Sequence, residues 1–294
     1  MNKLSRFLLG LSLVLTCSCI TAAQEKSQAN PSIPRVLQIT REFTKPGKAG
    51  FVHDASESAF VQAMARAKWP THYMGMTSLT GKQRALFLTR FDSFEAWEKD
   101  NAAVAKNSTL AASIDRAGFI DGDLLDSLDQ AVFYFRESMS LRPMADISKM
   151  RYLDITAFKV RGGKSKEWEE LVKLAKEGYG KGDPEAHWGV FELVYGGDNG
   201  TYLVLTARKS LSEVDHGFAI EKQINSAIGE ANGKRMDELF ASCVESVQSQ
   251  LFAFNPAMSY PAEEWIKSDP DFWKPKAAMP MAKKPAADDK KDKP

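Results

Sequence analysis

Cysteine is nearly absent from this chain. Three occur in 294 residues, and two of them, Cys17 and Cys19, lie in the N-terminal leader. A processed chain keeps Cys243 alone, which excludes an intrachain disulfide even in an oxidising compartment. Cys243 falls on an apolar stripe of Met236, Leu239, Phe240, Cys243, Val244 and Val247 at helical spacing. It therefore reads as a buried structural thiol rather than a reactive one. Charge of one sign is lacking too: 39 basic residues face 38 acidic ones, which leaves no electrostatic reason to seek nucleic acid. No apolar run is long enough for a stable membrane span. Phosphate loops, nucleophile elbows and paired zinc motifs are missing, so hydrolase and nucleotide-binding readings have little support.

What is present begins with an export signal. Lys3 and Arg6 form a basic start, Phe7–Leu15 a short apolar core, and Thr21-Ala22-Ala23 supplies small residues at the cleavage positions. Cleavage before Gln24 removes residues 1–23, takes the formal charge from +1 to −1, and implies a periplasmic or extracellular protein with no integral membrane span. Acylation of Cys17 or Cys19 is the alternative, although Thr16 departs from the usual lipobox.

The strongest signal is a duplication. Arg35–Lys48 and Arg151–Lys164 agree at six of fourteen positions without a gap. The echo continues in order. His72-Tyr73 answers to His187-Trp188, Leu88-Thr89 to Leu205-Thr206, and Ser93 to Ser210. Phe133, Phe135, Met139 and Ser140 answer to Phe252, Phe254, Met258 and Ser259. A period near 117 residues is too long for a solenoid and fits two domain-sized copies. The expected divisions are a polar leader over 24–34, a first copy over 35–143, a second over 150–261, and an extension over 262–294. That extension carries anchors at Trp265 and Phe272-Trp273 before a Lys/Pro/Ala/Asp tail.

Each copy reads strand, helix, strand, strand, helix, added helix, strand, which is the ferredoxin-like order. In the first copy the strands are Val36–Phe43, His72–Ser78, Ala85–Phe91 and Ala131–Arg136, with Ser93 capping a helix and a further helix over about Thr109–Leu128. In the second they are Tyr152–Val160, Ala186–Tyr195, Tyr202–Ala207 and Gln250–Phe254, with an added helix over Lys234–Gln248. The strand Ala186–Tyr195 is apolar on both faces, which implies that its second face meets another sheet. The fold class is thus α+β: two ferredoxin-like repeats packed sheet to sheet as a pseudo-dimeric α+β barrel within one chain.

The segment Phe91-Asp92-Ser93-Phe94-Glu95-Ala96-Trp97-Glu98 resembles the strand-to-helix signature of the dimeric α+β barrel superfamily, which includes antibiotic-biosynthesis-monooxygenase-like proteins and stress-responsive barrels. The likeness covers about residues 35–140 and, more weakly, 151–260; the second copy lacks the counterpart of Trp97. It implies a fold rather than an activity, because the superfamily mixes oxygenases, haem proteins and proteins without known catalysis.

His72 and His187 are the two histidines that the duplication superimposes. As neutral imidazoles they could ligate a metal or haem iron, but no carboxylate or cysteine accompanies them at ligand spacing, and inheritance with a structural hydrogen bond explains them equally. His53 and His216 have no counterpart and read as surface residues. Tyr73, Met74 and Met76, with Trp188 and Phe191, could line an apolar pocket between the sheets or simply pack the core. The pairs Arg35/Arg151 and Lys48/Lys164 could clamp an anion or cap strand ends in solvent. Asp121-Gly122-Asp123 resembles the start of a calcium loop without its terminal glutamate. The expectation is a binder of a small, largely apolar molecule through His72, Tyr73, Met74, Met76, His187, Trp188 and Phe191, with the first copy contributing more. The alternatives are a monooxygenase-like or haem-dependent oxidoreductase, or an interaction scaffold. The sequence leaves catalysis, cofactor and oligomeric state open.

Overall fold

The computed structural model of the chain describes residues 33–144 and 146–274. The export signal, most of the polar leader and the tail beyond Lys274 lie outside them. Eight strands close a barrel. In chain order they are β1 (Val36–Thr44), β2 (Tyr73–Ser78), β3 (Arg84–Phe91), β4 (Leu125–Phe135), β5 (Tyr152–Val160), β6 (Gly189–Tyr195), β7 (Thr201–Arg208) and β8 (Val244–Phe254). Helices α1 (Phe51–Ala67), α2 (Phe94–Lys106) and α3 (Ser108–Gly122) are interleaved with the first four strands. Helices α4 (Ser165–Gly182), α5 (Ser212–Ala219), α6 (Glu221–Ile228) and α7 (Glu230–Cys243) accompany the last four, and α8 (Glu263–Ser268) and α9 (Pro270–Trp273) follow. No helix among the described residues is long and apolar enough to cross a membrane.

Around the barrel the order is β1-β3-β2-β8-β5-β7-β6-β4, antiparallel throughout. The run β4-β1-β3-β2 and the run β8-β5-β7-β6 have the same internal order. They meet at two seams, where Met76 pairs Phe254 across β2–β8 and Phe133 pairs Leu193 across β4–β6. Each seam is locked by a serine just past a strand. Ser259 Oγ accepts the Gly75 amide at 2.9 Å, and Ser140 Oγ accepts the Val190 amide at 2.9 Å. A short antiparallel bridge follows each serine, Tyr73 to Tyr260 and Leu141 to Trp188. At the first seam the backbones approach so closely that a Cβ on Gly75 would lie 2.6 Å from the Met258 carbonyl oxygen, so only glycine fits.

Alternation along the strands puts Leu37, Ile39, Met76, Leu86, Leu88, Phe133, Leu153, Ile155, Phe191 and Phe252 inside the barrel, all at most 6% exposed. The two-faced apolar character of β6 has its cause here. Phe191 and Leu193 face the interior, whereas Val190 packs outward beneath α4 with Trp168 and Leu171.

The structure departs from the sequence reading at three places. The added helices end earlier than their apolar patterns suggest: α3 at Gly122 and α7 at Cys243, after which β4 and β8 begin at Leu125 and Val244. The reason is pairing with β1 and β5, Thr44 with Leu125 and Val160 with Val244, which outweighs local pattern. Val247 therefore sits on a strand, while Cys243 is fully buried as expected, its thiol pKa raised by burial. Second, the leader does not stay polar to its end, because Pro34 is buried and Ile33 packs on the barrel core. Third, the C-terminal aromatics are not local anchors. Trp273 is fully buried in the barrel core, its indole N–H donates to the Ser148 carbonyl at 2.6 Å, and its ring stacks near Trp265 and Phe272. Arg151 fixes this cap by pairing with Asp269 and lying 4.0 Å over the Phe272 ring.

Replacing Trp273 by alanine is expected to lower the unfolding free energy by about 3–5 kcal/mol, as for other large aromatic deletions from packed cores. Urea titration followed by far-ultraviolet circular dichroism reads it. A loss below about 1 kcal/mol would mean that α9 is not part of the core.

Candidate functional site

The structure distributes the residues singled out from the sequence over different surroundings. His72 ends the connection from α1 into β2 and lines a cleft of about 740 Å³ with Trp69, Tyr73, Met74, Phe91, Ala96 and Trp265. Its Nδ1 is buried without a hydrogen-bond partner, and its ring lies 4.7 Å from that of Tyr260. Burial holds its pKa below the usual 6.5. On the opposite wall Asp100 accepts hydrogen bonds from the Trp69 indole and the Thr71 hydroxyl, which fixes the rim.

His187 and Trp188 line a separate cleft of about 790 Å³ with Arg142, Tyr179 and Phe218. The His187 ring nitrogens each lie 2.8 Å from a backbone carbonyl oxygen, of Glu185 and Ala207, and the neutral ring donates to one of them according to its tautomer. Trp188 donates its indole N–H to the Met139 carbonyl at 3.1 Å. Trp188 thus fastens the β4–β6 seam, whereas His187 ties its own loop to β7 through Ala207. Met74, His187, Trp188 and Phe191 come together only at a cavity of about 80 Å³ at a barrel mouth, far below the 300–1,000 Å³ typical of ligand pockets. Met76 is fully buried in the barrel core and lines none of the three cavities. Side chains fill the barrel interior, so the ligand space expected between the sheets is displaced to the outside.

A second site was invisible at the level of motifs. Glu42 on the outer face of β1, His53 and Glu57 in α1, and Asp121 in the last turn of α3 converge beneath the helices, at 7%, 3%, 3% and 2% exposure. His53 Nε2 lies 3.2 Å from Glu42 Oε2, 3.5 Å from Asp121 Oδ1 and 3.9 Å from Glu57 Oε1. One ligand atom from each of the four lies within 4.8 Å of the others. Burial, reinforced by the charges of Glu42 and Asp121, pushes Glu57 up to about 9. Burial likewise raises Glu42. For His53 burial acts downward, but hydrogen bonds to Asp121 and Glu42 and the nearby negative charges outweigh it and lift the ring to about 10.

His53 is therefore not a surface residue, and Asp121 belongs to this cluster rather than to a calcium-type loop; Asp123 instead receives Lys45 on its backbone carbonyl at 2.9 Å. His216 is exposed as expected. A signal for the cluster was present in α1. The stripe Phe60, Ala63, Met64 continues backwards through Glu57 and His53 at helical spacing, while the adjacent Phe51 and Val52 are about half exposed. Polarity concealed a buried face.

His72 titrates below 6.5 in the fold, so the unfolded chain takes up its proton first as pH falls from 6.5 towards the folded value. In that window this group lowers stability. The His72 ring signal in a proton NMR titration is expected to have its midpoint below 6.5, and His72→Gln to lessen the acid-side loss of stability. A midpoint at or above 6.5 would contradict the burial.

No family model and no curated protein matches the sequence. Solved structures do match in fold. A candidate monooxygenase from Fusobacterium nucleatum superimposes with a TM-score of 0.51 at 9% identity, covering 76% of this chain and 93% of that one. A second candidate monooxygenase, from Lactobacillus acidophilus, gives 0.47 at 7% identity over 76% and 94%. A chlorite dismutase variant from Candidatus Nitrospira defluvii gives 0.44 at 10% over 81% and 95%. At such identities the likeness speaks of fold alone. Together with the closed antiparallel barrel, it shows that this chain shares the α+β barrel fold of the Fusobacterium protein, with the whole barrel built from one polypeptide.

Proposed function

We propose that this is an exported barrel of two ferredoxin-like repeats that binds a small, largely apolar molecule in the cleft beside His72. The observation that carries the reading is the cleft itself. At about 740 Å³ it falls within the size range of small-molecule sites. Trp69, Tyr73, Met74, Phe91 and Trp265 give it aromatic and thioether walls, and a few polar groups, His72, Asp100 and Lys99, sit at its edge. His72, kept neutral by burial, adds an uncharged imidazole to the wall.

The duplicated segments and the repeated strand order support the two-repeat reading, with copies over 35–143 and 150–261. In that reading the repeats have divided their labour: His72 faces the apolar cleft, while its counterpart His187 is bound to backbone carbonyls. An oxidoreductase using haem is the alternative; of its two candidate ligands, His187 is the weaker, because its ring is tied to a backbone carbonyl. Export rests on the basic, apolar and small-residue order of residues 1–23.

Two measurements test this. Ala96→Trp, which fills the cleft from α2, is expected to weaken binding of an uncharged naphthalene dye at least about tenfold, whereas Phe218→Ala in the other cleft leaves it unchanged. Equal binding by both variants and the unaltered chain would place the ligand elsewhere. Mass spectrometry of the secreted protein is expected to find an N-terminal peptide starting at Gln24; a diacylglycerol-modified Cys17 or Cys19 would replace release by anchoring.

A further inference from the structure

We propose that Glu42, His53, Glu57 and Asp121 hold a divalent transition cation of the Mn²⁺, Fe²⁺ or Zn²⁺ type, which ties β1, α1 and α3 together. The site is independent of the cleft beside His72.

The first argument is charge. Three carboxylates are buried to at least nine-tenths around a single imidazole. Among the described residues, no lysine or arginine pairs with Glu42, Glu57 or Asp121. One imidazolium can compensate one carboxylate at most, so the remaining acids must either hold a proton, as Glu57 does, or face a cation. A divalent cation displacing that proton would supply positive charge at the centre of the cluster.

The second argument is unmet hydrogen-bonding capacity. Glu57 Oε1 is buried without a hydrogen-bond partner, and Asp121 Oδ1 has only its long 3.5 Å contact with His53 Nε2. Thr44 Oγ1, on the same face of β1 as Glu42 and 93% buried, is also unpartnered. Buried polar atoms are otherwise almost always satisfied. Glu57 and Asp121 each place an oxygen within the 4.8 Å spread of the four ligand atoms, where a cation would satisfy them.

Distances agree. Ligands about 2.0–2.2 Å from a tetrahedral cation stand about 3.4 Å from one another. The separations from His53 Nε2, 3.2, 3.5 and 3.9 Å, bracket that value. An imidazole with three carboxylates suits Mn²⁺, Fe²⁺ or Zn²⁺ better than the all-oxygen cages of calcium or magnesium. The His53–Glu57 pair, one helical turn apart, presents two donors from one face of α1.

The barrel does not itself require polarity at this place. Ile39 pairs Leu88 and Ile155 pairs Leu205, and three residues further along, Glu42 pairs Ala85 while Phe158 pairs Tyr202. Beneath α4 and α7 the layer at Phe158 is built of aromatic and aliphatic side chains, with Trp168 5.1 Å from Phe158 and 5.2 Å from Tyr202, backed by Val172 and Leu239. An apolar solution thus exists in the same fold, and the first half has a charged cluster instead. At 2–7% exposure the four ligands leave no open approach for a substrate, which makes the cation structural.

The test uses tag-free, EDTA-stripped protein. Equilibrium dialysis against Mn²⁺ or Zn²⁺ is expected to give about one equivalent bound per chain, a melting temperature that rises with metal concentration, and slower amide exchange in α1. Glu57→Gln and His53→Gln are each expected to weaken binding at least about tenfold, while His216→Ala leaves it unchanged. Failure of the unaltered chain to take up either metal would overturn the proposal without recourse to any variant. So would stoichiometric binding that persists at full affinity in both Glu57→Gln and His53→Gln.

Discussion

Closure of the barrel is the constraint on which the rest of the molecule depends. A four-stranded antiparallel sheet exposes two edges, each a row of unmatched amides and carbonyls. Here the two four-stranded runs satisfy one another at β2–β8 and β4–β6, so no strand is left as an edge. The seams are short: three residue pairs at one and four at the other. Ladder bonds alone would hold them weakly, and Ser259 and Ser140, with the bridges that follow, extend each seam beyond its strands. Trp188 belongs to this fastening, donating to the Met139 carbonyl across the β4–β6 seam, while His187 beside it contacts backbone carbonyls within its own run.

Closure also decides where binding can occur. Eight strands give an interior just wide enough for side chains, and Leu37, Ile39, Met76, Phe133, Phe191 and Phe252 fill it with Trp273 against one end. Among the described residues, the two clefts of ligand size draw on helices and loops outside the strands. The layer between sheet and helices is built differently in the two halves. Beneath α4 it is stacked aromatics, Phe158, Trp168 and Tyr202; beneath α1 it is an imidazole among carboxylates. Aromatic packing tolerates small shifts of a helix, whereas a polar cluster has directional requirements and fixes α1 against β1 more narrowly.

Much of this architecture could be read from the chain. The recurrence of Arg35–Lys48 in Arg151–Lys164 located β1 and β5, and Ser93 caps α2 by accepting the Ala96 amide as its sequence position suggested. The pairing of Met139-Ser140 with Met258-Ser259 proved to mark the two seams. What stayed hidden has common physical causes. The first half of β4, Leu125–Gln130, is mostly exposed and carries no alternation, so only its partner β1 makes it a strand. Trp273 joins the barrel core and the Ser148 carbonyl, partners far from it in sequence, which no local pattern reveals. His53 and Glu57 were missed because burial was inferred from apolarity, and here the buried stripe of α1 is polar at its N-terminal end. Of the residues expected to form one pocket, His72, Tyr73 and Met74 share a cleft, and His187, Trp188, Phe191 and Met76 were separated from it by closure.

Joining both runs in one polypeptide has a thermodynamic consequence. When such a barrel is assembled from separate subunits, its seams loosen as the protein is diluted, because association is bimolecular. In this chain β4 leads into β5 through a covalent connection of 16 residues, between Phe135 and Tyr152. The second run is thereby kept near the first at an effective concentration set by tether length, independent of how much protein is present. Such a barrel does not come apart at its seams on dilution.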